Sequence, residues 1–127
     1  MIGVIFEVWP KAEYKDDYLK LAAELRSVLE NIEGFISVER FQSLTDTEKL
    51  LSLSFFESHT ALDTWRQVAE HRIAQNIGRS SYFSDYRLRV VQVERDYGMN
   101  DRQQAPADSL AALNLSLIHI SEPTRPY

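Results

Sequence analysis

The stretch ESHTALDTWRQVAEHRIAQNIGRSSYFSDYRLRVVQVERDY, residues 57–97, packs an aromatic helix, a Glu70-His71-Arg72 step, a turn at Gly78 and a closing strand into one run. Ser58 or Thr60 can cap the helix, whose Ala61, Leu62, Trp65, Val68 and Ala69 turn inward at helical spacing. Trp65 and His71 are six residues apart, which on a straight helix leaves them about 120° from superposition. A break near Val68 and Ala69 would bring them together. Arg79, Tyr82, Phe83 and Tyr86 follow Gly78 in a segment expected to be a loop that closes over the same place. From Tyr86 to Tyr97, Tyr86, Leu88 and Val90 alternate against Arg87 and Arg89, and the pattern slips at Val90-Val91. That slip predicts a bulge there, or a strand covered on both faces.

A single closing strand needs partners, and the upstream sequence supplies three. Ile2 to Trp9 is rich in β-branched and aromatic residues, is too short for a helix and is stopped by Pro10. Tyr14, Tyr18, Leu21, Leu25, Val28, Leu29 and Ile32 then recur at intervals of three and four, with Asp16 and Asp17 at the start and Gly34 just past the end. Phe35 to Ser43 and Lys49 to Phe56 read as two strands joined by a short polar loop. The order β-α-β-β-α-β is that of a ferredoxin-like α+β fold, with both helices on one face of a four-stranded antiparallel sheet. Apolar residues on both sides of the second and third strands (Phe35 and Phe41 against Ile36 and Val38; Leu51, Leu53 and Phe55 against Phe56) imply that a second protomer's sheet covers the other face.

Composition sets outer bounds. The 127-residue chain carries a formal charge of -5 and no cysteine. No basic stripe offers itself to phosphates, so a nucleic-acid partner is not expected. Lack of cysteine removes disulfides, thiolate metal sites and a Cys nucleophile, and fits a reducing, cytoplasmic setting. No apolar run approaches membrane length, and Glu7 with no leading Lys or Arg argues against a signal peptide. Residues 1–97 are expected to form the working domain, small enough to gain from dimerising. Residues 98–127 are expected to be a polar, disordered tail. Its last part, residues 116–127, resembles a translated sequencing adapter or vector read-through and is set aside as non-native; a genuine flexible tail would leave the domain unchanged.

Gly34-Phe35-Ile36 to Phe41, Lys49 to Phe55, Trp65-Arg66, Glu70-His71-Arg72 and Asp85-Tyr86-Arg87-Leu88-Arg89-Val90 together resemble the antibiotic biosynthesis monooxygenase domain family. The resemblance covers residues 1–97 and implies a dimeric α+β barrel, each protomer holding a pocket between sheet and helices. Some members oxidise polycyclic phenols with molecular oxygen and no cofactor; others bind and degrade haem. The haem-degrading branch carries an Asn on the first strand, a Trp on the second helix and a His about ten residues later. Here those positions are Glu7, Trp65 and Gln75, so two of three elements are missing.

Within that frame the candidate catalytic residues are His71, Arg72 and Arg79. A histidine accepts a proton near neutral pH, and a guanidinium stays charged and can hold a developing oxyanion. His71 reads equally as a helix-surface or capping residue, and the arginines as solvated charges. Trp65, Phe83 and Tyr86 are the candidate walls of a substrate site, although a Trp on an apolar helix face is also ordinary core. Glu7, with Trp9, borders either the pocket or the dimer seam. His59 and His71 lack a third ligand at metal spacing, so no metal is expected. The expectation is a cytoplasmic homodimer that acts on a small electron-rich aromatic or quinol-like molecule with molecular oxygen, as a cofactor-independent monooxygenase. The alternative is a non-catalytic dimeric ligand-binding or stress-response module.

Overall fold

The computed structural model describes residues 1–75 and 82–108, with side chains described through residue 70 in the first segment. The chain divides into two compact units, Met1–Gln92 and Val93–Tyr127. The first contains β1 (Ile2–Pro10), α1 (Lys15–Leu29), β2 (Phe35–Gln42), β3 (Leu50–Phe56), α2 (His59–Gln75) and β4 (Phe83–Gln92). All pairings are antiparallel and the strand order is β2-β3-β1-β4, the ferredoxin-like arrangement. No helix among the described residues is long and apolar enough to cross a membrane.

Local chemistry explains the element ends. Asp16 and Asp17 sit in the first turn of α1, where backbone N–H groups favour negative charge. After the helix, Gly34 takes φ +87°, and a Cβ there would lie 2.7 Å from the Cβ of Ala61. The Gly34 carbonyl accepts the Glu57 N–H at 2.7 Å, so this turn also fixes the entry to α2. Ser58 caps α2 by accepting the Ala61 N–H at 3.2 Å. The β2–β3 loop is held by Gln42 Nε2, which donates to the carbonyls of Thr47 and Lys49 at 3.0 and 3.1 Å.

Side chains at Ile2, Val4, Phe6 and Val8 of β1 face the helices. One buried cluster joins Val4 to Leu29, Phe56 and Ala61, with Phe35, Val38, Leu62 and Trp65 packed against it. A second joins Val8 to Tyr18 and Ala22, with Phe6, Leu50, Tyr82 and Phe83 at its edge. Arg40 enters the same layer and donates from Nη2 to the Ala22 carbonyl at 3.3 Å. Burial pushes the Tyr18 hydroxyl above its ordinary pKa, and the nearby Arg40 charge and hydrogen bond partly offset this.

Three features differ from the sequence expectations. β4 runs from Phe83 to Gln92 and not from Tyr86 to Tyr97, because its partner β1 begins at Ile2, opposite Gln92. Pairing is regular through Val90 and Val91, opposite Val4 and Gly3, so no bulge lies there. The bulges lie instead at Ile36, between Phe35 opposite Phe56 and Ser37 opposite Phe55, and at Ser84, between Phe83 opposite Pro10 and Asp85 opposite Trp9. Each extra residue reverses the alternation downstream. Phe35 therefore packs in the helix-side core while Phe41 lies on the opposite face beside Leu51, Leu53 and Phe55.

In the second unit, residues 93–108 form local turns. The Gly98 N–H bonds the Asp101 carbonyl at 2.8 Å, the Asp96 N–H bonds Gln104 Oε1 at 2.8 Å, and the Arg102 guanidinium lies 5.0 Å from the Tyr97 ring centroid. Residues 109–127, including the adapter-like ending, lie outside the described residues.

Candidate functional site

β4 is an edge strand, and its helix-side residues are only partly roofed: Tyr86, Leu88 and Val90 remain 59, 53 and 47% exposed. The space between α2 and the β1–β4 half of the sheet is a cleft of about 880 Å³. Val4, Phe6, Leu88 and Val90 form its floor; Leu62, Trp65 and Ala69 of α2 form its wall. Trp65 is anchored against the Val4, Leu29, Phe56 and Ala61 cluster, so the wall is continuous with the core.

One end of the cleft is an aromatic corner. Phe6 lies 5.8 Å from Tyr86 and 6.3 Å from Phe83 between ring centroids, and Phe83 meets Tyr86 at 6.3 Å and 64°. Behind Phe83 stands the buried Tyr18, edge-on at 5.3 Å. These tilted and edge contacts fix the rings against one another and leave the Tyr86 face open to a guest. The bulge at Ser84 makes this possible, since without it residues three apart would point to opposite faces. Ser84 donates its hydroxyl to the Trp9 carbonyl at 2.9 Å, which pins the bulge to β1.

The rim is polar. His59, Asp63, Arg66 and Glu70 follow the cleft along α2, and Ser84 and Asp85 line it from β4. Arg66 reaches Glu70 at 3.4 Å and Asp63 at 4.0 Å, in exposed ion pairs that water and salt weaken. An apolar, aromatic-cornered slot with such a rim suits a flat, mostly apolar molecule carrying a small number of polar groups.

The structure brings together Trp65, Phe83 and Tyr86, the three predicted walls, with Phe83 and Tyr86 on β4 and not in a loop. It separates Glu7 from them. An odd-numbered residue of β1, Glu7 projects to the face opposite the described helices, where its carboxylate is hydrogen-bonded by Lys49 and Arg89. Those two bonds, Lys49 first, hold Glu7 below its ordinary pKa. The same face carries Trp9, whose Nε1 donates to Asp46 at 2.8 Å with Lys49 5.2 Å from its ring, and a shallower depression of about 510 Å³ lined by Ile5, Phe41 and Leu51. The Trp9 and Glu48 N–H bonds likewise lower the pKa of Asp46.

For the predicted catalytic residues the outcome is different. α2 runs unbroken through Val68 and Ala69, so no break carries position 71 toward the face of position 65. The side chains of His71 and Arg72 and the whole of Arg79 lie outside the described residues. His59, Asp63, Arg66 and Glu70, which line the cleft, were not among the predicted site residues. Their spacing of four, three and four was visible, but it is also the spacing of an ordinary solvated helix face.

Comparison with known proteins accords with this geometry. Residues 1–76 match the family described as antibiotic biosynthesis monooxygenase. The chain is 43% identical over 101 residues to the jasmonate monooxygenase ABM of Pyricularia oryzae, a match covering 80% of this chain and 47% of that protein. The chain thus spans about half the length of that relative. Among solved structures, a conserved protein from Methanosarcina mazei Go1 is similar with a TM-score of 0.64 at 20% identity, covering 73% of this chain and 92% of that one. An antibiotic biosynthesis monooxygenase from Deinococcus radiodurans, so described as a provisional assignment, is similar with a TM-score of 0.66 at 11% identity, covering 77 and 97%. At such identities the structural likeness speaks for the fold alone.

Proposed function

The chain belongs to the antibiotic biosynthesis monooxygenase family, and from that premise we propose that the α2–β4 cleft is the site of a cofactor-independent monooxygenase for a small electron-rich aromatic or quinol-like molecule. The observation that carries this reading is the aromatic corner of Phe6, Phe83 and Tyr86 facing Trp65 across an apolar floor. A flat ring entering the cleft is sandwiched by π-faces and shielded from bulk water. Loss of a proton makes the ring electron-rich, and the anion supplies electrons directly to oxygen. For a ring methylene oxidised to a carbonyl, substrate and dioxygen give product and one water, with all four electrons drawn from the substrate. No external reductant enters that balance.

Assembly belongs to the same proposal. Ile5, Leu51, Leu53, Phe55 and Phe41 lie on the sheet face opposite the described helices, and a second copy placed face to face would bury them. Such a homodimer leaves the α2–β4 clefts on its two outer layers.

The test is oxygen uptake by the purified protein against a panel of quinols and polyphenols, with jasmonate as a second candidate because a 43% identical relative is named for it. Turnover that is lost in Trp65→Ala supports the reading. Neither uptake nor binding across the panel overturns it.

A further inference from the structure

We propose that His59, the first residue of α2, is the group that accepts the hydroxyl proton of an aromatic ligand in the cleft. This rests on the aromatic-ligand reading above and adds to it the identity of the proton acceptor. His59 lines the cleft on the same helix as Trp65, and among the described lining residues it is the only imidazole. Among the described residues the other titratable groups lining the cleft are Asp63 and Glu70, with Arg66, from α2 and Asp85 and Tyr86 from β4; the rest of the sheet beneath offers apolar side chains and the Ser84 hydroxyl. A phenol gives its proton to an ordinary imidazole about two and a half powers of ten more readily than to an ordinary carboxylate. The acid groups of the rim are therefore the weaker acceptors.

Position and surroundings fit the role. Ser58 caps α2 through the Ala61 N–H, so the backbone that carries His59 is fixed. His59 is exposed, which lets the imidazolium return its proton to water between cycles. Asp63 stands one turn along, where its carboxylate, shared with Arg66 at 4.0 Å, offsets the disfavour that the positive N-terminal end of α2 places on an imidazolium. The unbroken course of α2 removes the bend that position 71 would have needed to join the Trp65 face.

The probe is 4-nitrophenol, whose ionised and neutral forms absorb at different wavelengths, bound to the full chain and titrated with pH; equilibrium dialysis measures how much is bound. In the wild-type protein the bound compound should ionise about one pH unit or more below the free compound, as expected beside a cation formed by proton transfer. In His59→Ala and His59→Gln the bound compound should ionise where the free compound does, with binding within about threefold and circular dichroism unchanged. His71→Ala should keep the wild-type shift. A shift that persists in both His59 variants, or that vanishes in His71→Ala, overturns the assignment and leaves the aromatic-ligand reading standing. If dialysis detects no 4-nitrophenol on the wild-type protein, the His59 assignment falls, while the reading of the cleft is decided by the quinol, polyphenol and jasmonate panel.

Discussion

Phe83 and Tyr86 are three residues apart on one β-strand yet present their rings to the same side of the sheet, 6.3 Å apart at 64°, because Ser84 is an extra residue opposite the Trp9–Pro10 step. The aromatic corner of the cleft is thus a product of a bulge. Deleting Ser84 should restore strict alternation and drive one of the two rings to the opposite face of the sheet. The expected result is loss of most near-ultraviolet circular dichroism from the corner and at least tenfold weaker binding of aromatic ligands. Near-native spectra in the deletion variant would show that the bulge is dispensable.

The two rings should differ in what they do for stability. Phe83 touches Phe6 and the buried Tyr18, whereas Tyr86 is 59% exposed. Phe83→Ala should cost about 2–4 kcal/mol in urea unfolding, as for a partly buried core aromatic. Tyr86→Ala should cost less than about 1 kcal/mol while weakening ligand binding. Equal costs would mean that the cleft end packs differently.

Gly34 should not tolerate a side chain. Its φ of +87° is strained for any residue with a Cβ, and that Cβ would overlap Ala61. Gly34→Ala is expected to lose about 2 kcal/mol or more, and the melting temperature about 8 °C or more. An unchanged melting curve would contradict this turn geometry.

The Glu7 ion cluster predicts a pH dependence of fixed sign. Its folded pKa is depressed below the ordinary carboxylate value by Lys49 and Arg89, so its contribution to stability is present above the unfolded pKa and is lost as pH falls through the folded one. The stability difference between wild type and Glu7→Gln should be constant from neutral pH down to about 5 and shrink below that. A difference that instead grows in acid would reverse the assignment. Asp46, also depressed, adds to the acid sensitivity of both proteins, and because it shares Lys49 with Glu7 the comparison reads the coupled cluster.

The sheet face opposite the described helices makes its own prediction. Phe41→Asp, beside Leu51, or Leu53→Glu, between Ile5 and Glu39, adds a charge that a face-to-face seam would have to bury, so sedimentation should show monomers where wild type is expected to give dimers. A monomeric wild-type protein at micromolar concentration would remove the face-to-face assembly.

Element order and fold class were legible because they rest on long periodic signals, such as Tyr18 to Leu29 for α1 and the alternation of Val4, Phe6 and Val8. What escaped was parity. Ile36 and Ser84 look like ordinary strand residues, and nothing in their type announces that each adds one position to its strand. Phe41 consequently exchanged sides relative to Phe35, and Phe83 acquired a ring partner that alternation would deny it. Trp65 and Tyr86 could be named as walls from residue type alone. Glu7 could not be placed without the pairing that sets odd residues of β1 on the far face, and the rim stripe of α2 carries no periodic mark that separates a binding edge from a wet one.

The half-open floor of the cleft has an evolutionary consequence. Leu88 and Val90 are about half exposed, while the residues that hold the domain together, Val8, Phe56 and Leu29, lie elsewhere in the layer. Exchanging Leu88 or Val90 for a smaller or larger apolar residue therefore reshapes the guest space at little risk to folding. At Leu88 and Val90, unlike at Val4, Trp65 and Phe83, which also belong to or pack on the core, ligand preference can change without touching thermodynamic integrity, and a lineage built on this scaffold is free to drift from one small molecule to another by single steps at those two positions.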